Sequence, residues 1–139
     1  MTTVPKGFSF AVAAAGFKRA DRNDLALIVS ERPATVAGVF TTNKFQAAPV
    51  LVCIDALKKS ETARAVVVNS GQANACTGEE GLANCRATLE LVGKALGIAP
   101  AAILPASTGV IGAQLKMDRW AAAVPALAGS LGKAAPTDV

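Results

Sequence analysis

The chain has 139 residues, of which 52% are hydrophobic and 17% charged, and its net charge is +4. That length suits a single domain with one core, that composition argues against disorder, and no apolar run is long enough to cross a bilayer. Histidine is absent, which excludes a Ser-His or Cys-His dyad within this chain and removes the commonest zinc ligand.

In chain order, Phe8-Ser9-Phe10 alternates as a strand does. The alanine-rich stretch around it has only Lys6 before it, too thin a charged region for a secretory signal, so a cytoplasmic location is expected. Leu25-Ala26-Leu27-Ile28-Val29 predicts a strand closed by Arg32-Pro33. Residues 35–41, Thr-Val-Ala-Gly-Val-Phe-Thr, follow at hairpin distance and predict an antiparallel partner. The apolar run Val50-Leu51-Val52-Cys53-Ile54, entered through Pro49, predicts a third strand, with a helical turn over residues 55–60. Ala65-Val66-Val67-Val68 predicts a fourth, buried on both faces because no polar residue interrupts it.

After Ser70 the periodicity changes. Thr77 followed by Glu80 has the form of a capping box. Leu82, Cys85, Leu89, Val92 and Leu96 then recur at spacings of three and four, one apolar helix stripe, and Gly97 stands where a left-handed cap is needed. A second helix is predicted from Asp118 with Trp120, Val124, Leu127 and Leu131 on one face, kinked at Pro125 and ended by Gly132. Residues 133–139 predict no element. Strands first and helices afterwards argue for an α+β arrangement or a layered α/β sandwich rather than a doubly wound sheet.

Cys53, Cys76 and Cys85 contain no Cys-x-x-Cys pair and read as reduced, mostly buried thiols rather than a metal site. The basic residues are scattered and the chain has no tyrosine and one tryptophan, which argues against nucleic-acid binding. Three stretches are more particular than a core requires. Residues 68–78, Val-Asn-Ser-Gly-Gln-Ala-Asn-Ala-Cys-Thr-Gly, join a buried strand to the capped helix and offer Asn69 and Asn74 as donors and acceptors. On composition alone a turn plus a helix cap is favoured over a ligand loop, and neither the P-loop nor the dinucleotide spacing is present. Residues 104–112 gather Ser107, Thr108, Gly109 and Gly112, which fits equally a Ser/Thr turn or a nest of amides and hydroxyls for an oxyanion. Residues 37–43 lead through Lys44 to Ala47-Ala48-Pro49-Val50 and by themselves say strand, turn, strand.

Taken together, these stretches resemble the ornithine acetyltransferase (ArgJ-type) family. Gly7-Phe8, Ala14-Ala15-Gly16, Asp24-Leu25-Ala26-Leu27-Ile28, the 37–50 string, the 68–78 signature and Ser-Thr-Gly-Val-Ile-Gly over 107–112 occur in family order and spacing. Gln72 stands where the family usually has asparagine. The resemblance implies a layered α/β sandwich of sheets covered by helices, built jointly by an α and a β chain cut from one precursor at an Ala-Thr bond. It implies ping-pong transfer of acetyl from N-acetylornithine to glutamate through the freed threonine, whose own amine is the base. Acetyl-coenzyme A is a further donor in some members, and no resident cofactor or metal is implied. Thr108 and Gly109 match the family's oxyanion pair, while Asn69, Asn74 and Thr77 match a signature that lines or supports the site. By this reading residues 1–139 form a single-domain fragment from the N-terminal part of the α chain, inactive alone because the nucleophile lies beyond Val139. Its partners would be the β chain, in a dimer of αβ units, and the two amino-acid substrates, with neither nucleic acid nor membrane involved. A binding module of the same fold without chemistry, or a related self-processing aminopeptidase, are the alternatives.

Overall fold

A computed structural model describes residues 3–139. Strands β1 (Phe8–Ala13), β2 (Leu25–Thr35), β3 (Thr62–Gln72) and β4 (Ile103–Val110) form one sheet in the order β1-β2-β3-β4. Helix α1 (Ala48–Lys59) precedes β3, α2 (Gly78–Leu96) crosses from β3 to β4, and α3 (Met117–Gly129) follows. The first three strands pair antiparallel, and β3 pairs with β4 parallel, as a connection through a helix permits.

Strand periodicity separates the two faces of this sheet. Ala11, Leu27, Val67 and Ile103 are buried and point to one side, where they join Leu89, Val92, Trp120, Val124 and Leu127 in a single core. Helix α1 lies on β4 and against α2, α2 lies against α3, and α3 covers β1 and β2, so the helices form one layer on that face. The Phe17 and Trp120 rings close the core beneath α3, with centroids 5.5 Å apart. On the opposite face Ala26, Ile28, Val66, Val68 and Leu104 are half-buried. The predicted layered α/β class is present as one sheet and its helical cover. β3 is thus fully buried on one face only.

Several boundaries differ from the sequence expectations. Residues 50–54 belong to α1 and are not a strand: Pro49 occupies the first turn, where its missing N–H costs nothing, and Ala48, Pro49 and Val52 are buried at helical spacing. β2 runs on through Pro33 to Thr35 by a register shift between Val29 and Ala34, because a bulge tolerates a residue without a ladder donor. Residues 36–41 are therefore not its hairpin partner, and β1 and β3 occupy both of its edges. Strands and helices alternate from α1 onward rather than falling into two blocks.

Helix α2 follows its predicted stripe, with Cys85, Leu89 and Val92 buried and Gly97 left-handed at φ 65°. Its expected capping box is not formed, since the Thr77 hydroxyl donates to Asn74 Oδ1 at 2.7 Å instead. In α3, Asp118 lies in the first turn, Lys116 is the N-cap, and Pro125 sits inside a continuous helix. Pro125 is on the exposed side of the helix, away from the buried Trp120, Val124 and Leu127. Leu131 and Gly132 follow the helix, and the Gly132 amide donates to the Phe10 carbonyl at 2.9 Å, tying the chain back to β1.

Candidate active site at the ends of β3 and β4

Because β3 and β4 run parallel, their carboxyl ends lie side by side, the part of such a sheet from which ligand loops leave. The register sets Asn69 beside Ser107, Ser70 beside Thr108, Gly71 beside Gly109 and Gln72 beside Val110. Two signatures far apart in sequence are brought together in this way. The 104–112 stretch is mainly strand, not a free Ser/Thr turn. The Ala73 amide donates to the Val110 carbonyl at 2.9 Å and the Gly112 amide to the Ala75 carbonyl at 2.8 Å, which extends the pairing past the strand ends.

Glycine is required at the meeting point. Gly71 has φ 117° and Gly109 φ 128°, a region that side chains disfavour. A Cβ on Gly109 would lie 2.3 Å from the Gly71 carbonyl carbon, so the two backbones touch with nothing between them. Thr108 and Gly109 are exposed, and the Val110 and Ile111 beyond them are 56% and 68% exposed. As a member of an edge strand, β4 also presents unpaired backbone groups on its outer side.

The other candidate residues face inward. Asn69 is buried and its Nδ2 donates to the Gln72 carbonyl at 3.0 Å, holding the end of β3 in its turn. Asn74 is fully buried in a left-handed conformation at φ 49°. Its Nδ2 donates to the Gly81 carbonyl at 2.9 Å, its Oδ1 accepts the Thr77 hydroxyl, and its own carbonyl accepts the Ala48 amide at 3.1 Å. One asparagine thereby joins the β3–α2 loop to the starts of both α1 and α2. Thr77 is also held from behind, where Gln114 Nε2 donates to its carbonyl at 2.9 Å.

A hollow of about 190 Å³ lies beside the start of α2, lined by Gln46, Ala48, Leu51, Cys76, Thr77 and Glu79 among others. Of the third stretch, residues 37–44 lie in an exposed loop in which the Asn43 side chain accepts the Phe45 amide at 2.9 Å, while Ala48, Pro49 and Val50 open α1. Cys76 is exposed, while burial raises the Cys53 thiol and pushes Cys85 up to about 12, so both stay protonated near neutrality. No cluster of three metal-ligating side chains exists among the described residues, and no described helix is long and apolar enough to cross a membrane.

Sequence reasoning missed the residues that hold the turn at 14–17. Asp24 is buried and accepts the Ala15 amide on Oδ1 at 2.7 Å and the Phe17 amide on Oδ2 at 2.6 Å. Lys116 and Gln72 donate to the Phe17 carbonyl, and Arg119 donates to that of Gly16. An acid directly before an apolar strand was the one visible signal, and nothing local named its partners.

The architecture is that of a mixed α/β domain whose paired parallel strand ends expose a Thr-Gly step. The chain matches the ArgJ family model over residues 9–138 and belongs to that family. It is 65% identical over 133 residues to the arginine biosynthesis bifunctional protein ArgJ of Nitratidesulfovibrio vulgaris, covering 96% of this chain and 34% of that protein. With the protein of the same name from Geobacter sulfurreducens it shares 50% identity over 129 residues, 93% of this chain and 33% of that one. The chain thus spans about a third of the length of these relatives. Among solved structures, an ornithine acetyltransferase complexed with ornithine from Mycobacterium tuberculosis superposes with a TM-score of 0.88 at 42% identity, over 94% of this chain and 70% of that one. An ArgJ protein from Bacillus halodurans gives 0.80 at 41% identity, over 84% and 61%.

Proposed function

We propose that this chain is part of a self-processing acetyltransferase of arginine biosynthesis that moves acetyl from N2-acetylornithine to glutamate. The observation that carries this reading is the exposed Thr108-Gly109 step, set against Gly71 at the ends of two parallel strands, in a chain of this family. The Thr108 hydroxyl and the Gly109 amide are the donors for an oxyanion, and their fixed backbone setting is what such a site requires.

The nucleophile is a threonine at the start of the β chain of the same precursor. Its Oγ attacks the acetyl carbonyl carbon while its proton passes to the threonine's own α-amine. The carbonyl oxygen becomes the oxyanion that Thr108 and Gly109 stabilise. Collapse breaks the bond to the ornithine nitrogen, which leaves with that proton, and the acyl-threonine remains. The amino group of glutamate then attacks the acyl carbon and gives a proton to the same amine. The bond from the acyl carbon to Oγ breaks, Oγ takes that proton, and the free threonine is regenerated. Acetyl-coenzyme A can load the threonine by the same first step. The working unit is a dimer of αβ pairs in the cytoplasm, and residues 1–139 alone are inactive.

The test is an acetyl-transfer assay on the full-length gene product with N-acetylornithine and glutamate, run beside Thr108→Ala. The expected result is wild-type transfer and a fall in kcat of ~10²–10³-fold in the folded variant. Full activity in Thr108→Ala would remove that residue from the site. A folded, cleaved wild type without transfer would defeat the acetyltransferase reading and favour an aminopeptidase or a binding module.

A further inference from the structure

The turn at residues 14–17 is held by far more bonds than a surface turn needs. Both oxygens of the buried Asp24 are committed to its amides, from Ala15 and Phe17. Three further side chains, on β3 and around the start of α3, hold its Gly16 and Phe17 carbonyls. The backbone of Asp24 is tied as well: its amide donates to the Ala13 carbonyl at 3.1 Å and its carbonyl accepts the Ser70 amide at 2.8 Å. Asp24 forms no ion pair among the described residues. A buried carboxylate is costly to desolvate, and only well-formed bonds from those amides offset that cost.

What this turn touches explains the expense. A Cβ on Gly71 would lie 3.0 Å from Phe17 Cβ and 3.6 Å from the Phe17 carbonyl carbon, so the turn abuts Gly71 directly. Gly71 in turn abuts Gly109, whose added Cβ would lie 2.3 to 2.7 Å from the Gly71 backbone. Asp24, Phe17, Gly71 and Gly109 therefore form one stack, and no side chain lies between Phe17 and Gly71 or between Gly71 and Gly109 to absorb a shift. Close-packed contacts transmit displacement rather than damp it.

We propose that Asp24 is a positioning residue for the acyl-transfer site, which sets the Gly109 amide by bracing the 14–17 turn against Gly71. This rests on the oxyanion role given above to Thr108 and Gly109. Asp24→Asn keeps the shape but replaces one acceptor oxygen by a donor, so one of the two turn amides loses its partner.

The experiment uses the full-length, self-cleaved protein. Asp24→Asn is compared with wild type in kcat, in KM for N-acetylornithine, and in amide hydrogen exchange of the peptide spanning residues 103–112. The expected result is a kcat lowered ~10–10²-fold per titrated active site, as a displacement of about 1 Å would produce, with KM within about twofold and faster exchange in that peptide. Lys116→Met, which releases the Phe17 carbonyl from the solvent side, should shift both readouts the same way by a smaller amount, and it decides the matter if Asp24→Asn does not fold. Unchanged kcat per titrated site and unchanged exchange would overturn the proposal, because a role in stability alone lowers only the folded fraction. If the wild type transfers no acetyl group, the exchange arm decides alone: faster exchange upholds the bracing while the transferase reading falls, and unchanged exchange defeats both.

Discussion

The β3–α2 loop and the end of β4 lie side by side, yet they use their polar groups in opposite ways. Between residues 69 and 77, Asn69, Asn74 and Thr77 turn inward and bond to Gln72, Gly81 and each other. At 108 and 109 the chain leaves its threonine and glycine exposed, braced from behind by Gly71. Asn69 and Asn74 are buried and expose almost none of their side chains to a substrate, whereas Thr108 and Gly109 lie at the surface. One region is scaffold for the other, although both are equally prominent as sequence signatures.

The comparison breaks first, and with the largest effect, at Gly81. A Cβ there would lie 1.9 Å from Thr77 Oγ1 and 2.6 Å from Asn74 Oδ1, so the inward-facing loop would have to open. Gly81→Ala is expected to lower stability by ~3 kcal/mol, measured by denaturant unfolding. Asn74→Ala should follow at ~2–3 kcal/mol, since it strands the Gly81 carbonyl and the Thr77 hydroxyl and places alanine at a positive φ. If Asn74→Ala kept its full stability and instead lost acetyl transfer, Asn74 would belong with the catalytic side and the division drawn here would fail. Thr108→Ala, by contrast, should stay within ~0.5 kcal/mol of wild type while losing turnover.

A smaller effect than those at Gly81 and Asn74 concerns pH and sharpens the same contrast between buried and exposed groups. The Cys85 thiol has its folded pKa pushed up to about 12 from 9.0, chiefly by burial. Below pH 9 it is protonated in folded and unfolded chains alike, and its contribution to stability is fully present. As pH rises from 9 toward 12 the unfolded chain gives up the proton and the folded one retains it, so stability falls. The loss attributable to Cys85 should reach roughly 1 kcal/mol by pH 10. Melting temperatures taken between pH 8 and 10 should therefore drop more steeply for wild type than for Cys85→Ala. Equal slopes would mean that the thiol ionises in place.

Helix α2 was legible from its stripe at Cys85, Leu89 and Val92 and from Gly97, because helix period and left-handed caps are local properties. The capping box expected at Thr77 and Glu80 is not formed, since Asn74 takes the Thr77 hydroxyl. Residues 50–54 misled because an uninterrupted apolar run fits a buried strand and a buried helix alike, and Pro49 suits the opening turn of the latter. Residues 35–41 suggest a strand pairing with β2 because they follow its apolar run at hairpin distance. But β2 extends to Thr35 and already has β1 and β3 as neighbours, and strand pairing is decided by what else competes for the edge. Thr108 and Gly109 were proposed for the site by family resemblance, whereas Asp24 showed only as an acid before an apolar strand and its bracing role did not, since its partners are backbone amides that any residue supplies.

By itself, then, the sequence determined the family, the amphipathic faces of α2 and α3, the left-handed glycine cap at Gly97, and the absence of a histidine-based mechanism in this chain. Only the tertiary structure decided that Gly71 and Gly109 touch, that Asn69 and Asn74 are buried scaffold, and that a turn near the start of the chain stands behind β3. The first group follows from periodicity and backbone preference within a few residues. The second depends on the register of β3 with β4 and on burial, which arise from contacts between distant segments and exist only once the sheet has formed.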